Sequence, residues 1–402
     1  MPIISKTKEK TKKLLFIYLV IMSFEYIVEY YSGVLGISWA QTIFRVLTIF
    51  VAAISMMFFF QTSSIVPRYN ALLTLFFFFN LGITLVYAVI SETEALITFS
   101  VLVYFPILLA LGTWMIQPKE FDNAFKIISI AGIAVAVITL ATNSIDIASA
   151  LRRGYAWSEI FFYGSVYWGV VPIVLYCFIV DKWRMIAIGY MGSAVVFNMI
   201  FLKRYIFVDV VLVVAAVCMV DMLRKKKGVG NIIIVILVAV IGIFFFNQYQ
   251  DYAIWDLFFG SVRRITESDI STFDRFEESK NYFSNSTFFD LVLGRGFAGQ
   301  HYNVYTFGLA LHVGWGNFLL KGGLLFFLLM FMPVIRSFDL FSRFNHYDSV
   351  QQWYIVMVTV ESLRLFYTNK VSFSPELFMF IYGCINVMNI KRAVKTIGEQ
   401  ND

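Results

Sequence analysis

Charged residues are scarce in this chain: they make up 14% of it, whereas hydrophobic residues make up 59%. Soluble domains carry about 25% charged and about 45–50% apolar residues. A soluble core cannot absorb so much apolar surface, so the composition excludes an ordinary soluble domain. It predicts an all-α polytopic membrane protein whose apolar surface is covered by the bilayer.

Cysteine and histidine are also scarce, with three of each: Cys177, Cys218 and Cys384; His301, His312 and His346. The cysteines lie inside apolar stretches, which argues against a disulfide framework or a cysteine-based metal cluster. Three histidines are too few for a histidine-rich site, and no Asp-x-Asp pair stands where a divalent metal would bind. We therefore expect no metal and no cofactor.

Long apolar runs dominate the rest of the sequence. A membrane-spanning helix needs about 20 mostly apolar residues, and this criterion predicts about twelve helices. They lie near 14–32, 41–60, 71–90, 95–116, 126–142, 160–180, 185–202, 205–223, 229–247, 312–335, 350–367 and 374–390.

The basic residues predict the orientation of these helices. More than half of the 32 basic residues fall in alternate connecting segments, and the block Arg224-Lys225-Lys226-Lys227 is the strongest cytoplasmic signal. Both termini are then cytoplasmic. Because the positive charge is spread over short loops, the net charge of +6 does not indicate nucleic-acid binding. The prediction divides the chain into nine helices in 1–247, an external loop at 248–311, and three helices with a cytoplasmic tail in 312–402.

The external loop is unusually long, and loops of this length in a compact protein are usually functional or disordered. It contains an amphipathic stretch at 273–283, which predicts a helix lying on the membrane or over a cavity. A glycine turn at Gly294-Arg295-Gly296 follows, and then His312 at the mouth of the next helix. A histidine in such a place takes up a proton near neutral pH; an interfacial, hydrogen-bonded histidine is the simpler alternative.

Most of the remaining basic residues fall on the outer face, against the usual bias, among them Arg152, Arg153, Lys203, Arg204, Arg263, Arg264, Arg275, Lys280 and Arg295. The planar guanidinium group suits phosphate oxygens in a partly dry site. Several arginines facing one cavity therefore indicate an anionic ligand with more than one phosphate. Anchoring to lipid head groups is the alternative for any one of them.

The order of these motifs resembles the O-antigen polymerase (Wzy) and O-antigen ligase superfamily. The carrying residues are Arg275, the turn Leu293-Gly294-Arg295-Gly296-Phe297, His312, Asn317 and the step Lys321-Gly322-Gly323-Leu324, together with Arg153-Gly154 and Arg204 further upstream. The architecture is similar along nearly the whole chain. The resemblance implies a GT-C-like fold and a metal-independent, inverting glycosyltransferase that uses undecaprenyl-pyrophosphate-linked oligosaccharide.

The resemblance also implies roles for individual residues. His312 and Arg275 are expected to be catalytic, with His312 as the general base on the acceptor hydroxyl. Arg153, Arg204, Arg264 and Arg295 are expected to bind the pyrophosphate, and Asn317 and Tyr205 other parts of the substrate. Further expected partners are membrane lipids, a chain-length regulator and a flippase, and the expected location is the bacterial inner membrane with the active site on its outer face.

Three functions remain open at this point. The first is a polymerase that joins lipid-linked repeat units into O-antigen, capsule or exopolysaccharide. The second is a ligase that attaches finished polymer to a lipid A core. The third, of a different class, is a flippase for the same lipid-linked repeats, which charged residues buried in the middle of spans would favour. The candidates for such residues are Glu25, Glu29, Asp209, Lys321 and Glu361.

Overall fold

The computed structural model describes residues 6, 8–14, 16–17, 38–61, 66–91, 104–120, 122–142, 169–200, 205–224, 280–296, 301–302, 307–308, 311, 313–368 and 374–391. Its longer helices are α1 (Ser38–Gln61), α2 (Arg68–Ser91), α3 (Phe105–Gly112), α4 (Asp122–Thr142), α5 (Val170–Ile179), α6 (Arg184–Ile200), α7 (Tyr205–Leu223), α8 (Phe288–Leu293), α9 (Gly314–Phe341), α10 (Ser349–Arg364) and α11 (Ser374–Asn389). Strands β1 (His301–Tyr302) and β2 (Phe307–Gly308) pair antiparallel.

The expected all-α fold class is confirmed over these residues. Several predicted helices begin and end close to observed ones, for example 205–223 against Tyr205–Leu223 and 374–390 against Ser374–Asn389, whereas the helix predicted at 95–116 ends at Gly112. Two described helices, Arg68–Tyr87 and Gly314–Phe341, are long and apolar enough to cross a membrane. The predicted helix at 229–247 lies outside the described residues, and the number of twelve spans stays a prediction.

Helices α7 and α10 lie antiparallel, because contacts join the start of each to the end of the other. Arg224, just after α7, donates from Nε to Gln352 Oε1 at the start of α10, at 2.7 Å. At the other end, Arg364 Nε donates to Asp209 Oδ1 at 2.7 Å.

Aromatic rings fill the centre of the bundle. Trp353 of α10 is fully buried and its Nε1 donates to the carbonyl of Pro172 in α5, at 2.8 Å. The rings of Tyr176 and Phe125 meet it edge-on, at centroid distances of 5.3 Å and 6.4 Å. This cluster joins α4, α5 and α10.

Helix α9 differs from the uninterrupted helix predicted at 312–335. It runs on to Phe341 and is broken at Gly323, whose backbone has φ 62° and ψ −165°. Only glycine adopts this conformation readily. A broken helix leaves carbonyl groups without their usual partners, and in a membrane such groups must be satisfied by protein or by a water-filled cavity.

Candidate functional site

The end of the segment predicted to be an external loop forms a short, capped helix. Thr287 and Asp290 make a reciprocal capping box at the start of α8: the Thr287 side chain accepts from Asp290 N, and Asp290 accepts from Thr287 N. Gly294, at φ 76°, ends the helix. The sequence Thr287-Phe-Phe-Asp290 before an apolar run is the usual signature of such a start. The capped helix fixes the direction in which the glycine turn leaves it.

The glycine turn docks into the break of α9. Arg295 N donates to Leu320 O at 2.8 Å, which satisfies one carbonyl that the broken helix leaves open. A Cβ atom on Gly294 would lie only 2.5 Å from the backbone nitrogens of Gly322 and Gly323. The two backbones therefore meet without side chains between them, and we call this contact the turn–helix junction.

Helix α2 closes the junction from the other side. Asn80 Nδ2 donates to Lys321 O at 2.9 Å, which satisfies a second carbonyl near the break. Gly296 lies so close to Thr84 that a Cβ atom on the glycine would be 2.6 Å from its Cα. Thr84 also hydrogen-bonds to the buried hydroxyl of Tyr104. The turn is thus held between α2 and α9.

A charged group stands beside the junction. Tyr87 of α2 donates a hydrogen bond to Asp290, and Arg295 forms an ion pair with the other oxygen of the same carboxylate at 3.2 Å. The guanidinium carbon of Arg295 also lies 5.4 Å from the centre of the Tyr282 ring. Burial alone would raise the pKa of Asp290, but hydrogen bonds from Tyr87, the Thr287 backbone and Arg295 outweigh it and hold that pKa below its ordinary value of 3.8.

We expect Asp290→Asn to destabilise the junction in a pH-dependent way. The lowered pKa means that the ionised Asp290 stabilises the folded state above its ordinary pKa, and that this contribution is lost as the pH falls through the lower, folded-state value. Thermal unfolding of the purified protein should therefore separate the variant from wild type at pH 7 and bring the two together in strong acid. An equal difference at pH 7 and pH 3 would contradict this account.

Asn317 fixes the backbone beside His312. Its Oδ1 accepts from Leu311 N at 2.7 Å and its Nδ2 donates to Leu311 O at 2.6 Å. Both Leu311 and Asn317 are buried. The Asn317 side chain thus serves as hydrogen-bond partner for both the N–H and the C=O of Leu311. Leu311 precedes His312, and His312 lies outside the described residues.

A buried ionic cluster lies where α7 begins and α10 ends. Arg364 binds both oxygens of Asp209, at 2.7 Å and 3.1 Å, and donates to Glu361 Oε2 at 2.7 Å. Tyr367 donates to the same Asp209 at 2.6 Å. Trp315, in the first turn of α9, donates from its backbone N to Leu365 O at 3.3 Å. The cluster is therefore connected to the start of α9, next to the position at which His312 is expected to act.

Two of the predicted site residues have described side chains, Arg295 and Asn317. Arg295 belongs to the turn–helix junction, and the observed contacts of the Asn317 side chain are with Leu311. Tyr205 begins α7, and its side chain lies outside the described residues. The others lie wholly outside them: Arg153, Arg204, Arg264, Arg275 and His312. Their roles stay predictions.

Sequence reasoning did not select Tyr87 or Asp290 as members of a polar site, and it did not pair Arg364 with Asp209. The capping signature Thr287-x-x-Asp290 was available to locate Asp290. Nothing in the local sequence connects Arg364 with Asp209, which is 155 positions away. Among the described residues, no three His, Cys, Asp or Glu side chains come together to hold a metal ion.

The chain matches no protein-family model, no curated protein and no solved structure.

Proposed function

We propose that this chain is a polysaccharide polymerase of the bacterial inner membrane. It transfers glycan from undecaprenyl pyrophosphate to the acceptor sugar hydroxyl of a lipid-linked repeat unit, on the outer face. The turn–helix junction carries the proposal: the glycine turn and the Lys321-Gly322-Gly323 step are separate parts of the motif order that suggested this chemistry, and here they touch. Asn317, a third part, holds the residue before His312.

The proposed reaction is an inverting substitution at the anomeric carbon. The acceptor oxygen forms the new bond to that carbon, and the bond to the pyrophosphate oxygen breaks with its electron pair leaving on the pyrophosphate. His312 takes the proton of the acceptor hydroxyl, a step typically worth about 10²–10⁴ in rate. Arg275, with Arg153, Arg204 and Arg264, neutralises the charge that develops on the leaving group.

Arg295 takes a more structural part in this proposal than the sequence suggested. Its guanidinium is engaged by Asp290 at 3.2 Å, and it also donates to Asn285 O at 3.2 Å. Its backbone N is used in the junction. We therefore propose that Arg295 maintains the conformation of the turn beside the pyrophosphate. The direct phosphate contacts are then made by the other predicted arginines: Arg153, Arg204, Arg264 and Arg275.

The buried charges divide on the flippase alternative: Lys321 is buried inside α9, beside its break, whereas the other two candidates with described side chains lie near helix ends. Asp209 and Glu361 stand within the first or last turns of α7 and α10, where Arg364 joins them. A polar cavity of about 820 Å³ at the opposite end of these helices is lined by Tyr176 and Tyr354, among others. The rings of both tyrosines contact the fully buried Trp353. A pathway between the two ends would have to pass this aromatic cluster.

A deletion strain of the host tests the proposed function. The surface glycan is separated by gel and the lipid-linked fraction is extracted, with wild type or His312→Ala supplied at equal protein level. The proposal expects single repeats in the deletion and with His312→Ala, and polymer with wild type. Long polymer left on undecaprenyl pyrophosphate in the deletion would identify a ligase, and repeats trapped on the cytoplasmic face a flippase.

Asn317→Ala should lower polymer formation at unchanged protein level. The change removes two hydrogen bonds and leaves the buried N–H and C=O groups of Leu311 without these partners, which costs about 1–3 kcal/mol for each unsatisfied group. Asn317→Asp keeps the acceptor for Leu311 N but places a buried carboxylate oxygen against Leu311 O, so it should not restore activity above that of alanine. Equal activity of Asn317→Ala and wild type in the gel assay would refute this positioning role.

A further inference from the structure

Another cavity lies at the start of α10, at the opposite end of that helix from the buried ionic cluster. Its volume is about 550 Å³, within the range of about 300–1,000 Å³ typical of ligand sites. The sequence predicts that this end of the helix faces the cytoplasm, so the cavity is separate from the site proposed for the outer face. It is lined by Ile179, Val180, Asp181, Arg224, Asn345, Tyr347, Ser349 and Gln352.

Arg224 is held at the edge of this cavity and still has N–H groups to offer. Its Nε donates to Gln352 Oε1 at 2.7 Å, and its Nη2 donates to Ile179 O at 2.9 Å. Gln352 is itself fixed, because its Nε2 donates to the carbonyls of Phe344 and Tyr347, each at 3.0 Å. Both acceptors of Arg224 are neutral. Within the described part of the chain its Nη1 has no hydrogen-bond partner and no carboxylate lies within ion-pair distance of the guanidinium.

The acids near Arg224 do not neutralise it. Asp181, the acid among the lining residues, is paired with Arg184 Nε at 3.0 Å. Burial and the charge of Arg184 lower the pKa of the Arg224 guanidinium, and the carboxylates of Asp221 and Asp181 only partly offset them. Because an arginine stays charged in a protein, an anion bound in the cavity would stabilise this side chain.

Two further donors come from the turn before α10 and from its first residue. Tyr347 is 7% exposed, and its buried hydroxyl has no hydrogen-bond partner among the residues that the structure describes. Asp348 caps α10 by accepting from Val350 N and Gln351 N, at 2.9 Å each. No such partner is described for Ser349 N, so it is one of the open N–H groups with which a helix N-terminus attracts anions.

The kind and the placement of these donors favour a phosphate group. An arginine fork, a helix N-terminus and hydroxyl groups are the usual donors to phosphate oxygens. Here they lie on three short segments: the residue after α7, the turn before α10 and the first residue of α10. A phosphate group has oxygens in several directions and can accept from all three segments, whereas a carboxylate has only two oxygens.

We propose that this cavity binds a phosphate group, held by Arg224, the Tyr347 hydroxyl and the N-terminus of α10. The site lies at the predicted cytoplasmic end and does not depend on the proposed polymerase activity. The phosphate belongs to a soluble compound or to the head group of an anionic lipid, since the same donors serve both. In either case the ligand fastens the end of α7 to the start of α10.

Thermal unfolding of the full-length protein in a neutral detergent tests the site. Sodium phosphate is titrated against sodium chloride at constant ionic strength, and sodium acetate is titrated in the same way. In a second series the micelles contain phosphatidylglycerol, with phosphatidylcholine as the control. A ligand that binds only the folded state raises the unfolding temperature. We expect phosphate or phosphatidylglycerol to raise it for wild type, and acetate and phosphatidylcholine to leave it unchanged.

Tyr347→Phe is the sharpest variant, because it removes only a hydroxyl that has no partner in the described structure. Without ligand it should unfold at the wild-type temperature or above it, whereas its affinity for the stabilising probe should fall about tenfold or more, the usual effect of losing a hydrogen bond to a charged group. Arg224→Gln should weaken binding at least as much. Arg336→Gln is the matched control: it removes a positive charge near Ile390 at the same end of the bundle, but Arg336 does not line the cavity, so binding should stay within about twofold of wild type.

The two series also identify the source of the phosphate. Stabilisation by sodium phosphate that is lost in Tyr347→Phe supports a soluble ligand, and stabilisation by phosphatidylglycerol alone that is lost in the same variant supports a lipid head group. The proposal is overturned if neither probe stabilises wild type, if acetate acts as well as phosphate, or if Tyr347→Phe responds like wild type. Should Arg224→Gln fail to fold, Tyr347→Phe still decides.

Discussion

Gly323→Ala is expected to unfold or severely destabilise the part of α9 that precedes its break. Alanine at φ 62° and ψ −165° is strained, and a Cβ atom there would overlap the carbonyl of Val292 in the backbone of α8. Backbone strain of this kind costs about 1–3 kcal/mol, and the overlap adds to it because neither backbone segment moves without the other. We therefore expect a loss of at least about 3 kcal/mol in the unfolding free energy.

Gly192→Ala is the control for this prediction. It replaces a helical glycine whose added Cβ meets nothing, so it should stabilise α6 by about 1 kcal/mol or leave it unchanged. Both variants are compared by thermal unfolding in detergent, followed by size-exclusion chromatography. If Gly323→Ala unfolds at the wild-type temperature, the break in α9 and its close contact with α8 and the glycine turn would be contradicted.

Arg364→Met is expected to cost about 3–5 kcal/mol, the usual effect of leaving buried charges without their partner. Arg364, Asp209 and Glu361 have side-chain exposures of 5%, 3% and 1%. Glu361 Oε1 is already buried without a hydrogen-bond partner among the described residues. Removing the guanidinium therefore leaves two carboxylates with no nearby cation in the described part of the cluster.

Two further variants make this prediction specific. Arg336→Met breaks a partly exposed pair with Asp339, with side-chain exposures of 22% and 43%, and a hydrogen bond to Ile390 O; such a pair is worth about 0–1 kcal/mol and such a hydrogen bond about 0.5–1.5 kcal/mol. Adding Asp209→Asn to Arg364→Met removes one of the unpaired charges and should recover part of the lost stability. Equal losses of unfolding free energy for Arg364→Met and Arg336→Met, measured in the same detergent, would show that the buried cluster stabilises the fold no more than a partly exposed ion pair does.

Helix positions could be predicted from the sequence because apolar runs of sufficient length report them directly. The observed bounds of α2, α6, α7, α10 and α11 lie close to the predicted ones. The described part of the amphipathic loop stretch, residues 280–283, is also helical, and its Tyr282 is buried under Arg295. In each case one local pattern decides the structure.

The break in α9 could not be predicted in the same way. Gly322-Gly323 lies inside an apolar run, where the run length favours a continuous helix. The break is stable because Asn80 and the backbone of Arg295 satisfy the carbonyls of Lys321 and Leu320. These partners come from distant parts of the chain, so only the tertiary structure reveals that they are available.

The candidate site was predictable in its motifs but not in its contacts. The sequence selected the glycine turn, Asn317 and the Lys-Gly-Gly step as parts of one order along the chain. The sequence predicted that Arg295 binds phosphate, whereas in the structure the Arg295 guanidinium forms an ion pair with Asp290. The acid was overlooked because a carboxylate next to a glycine turn has no distinctive pattern beyond its capping role.

The most direct test of the central claim is reconstitution of the purified protein with its lipid-linked repeat unit in proteoliposomes. The products are separated by length, and released undecaprenyl pyrophosphate is measured. The account predicts chains of two and more repeats, with one carrier pyrophosphate released for each new glycosidic bond and neither product formed by His312→Ala. Redistribution of intact single repeats across the bilayer, with no new glycosidic bond and no released carrier, would contradict it.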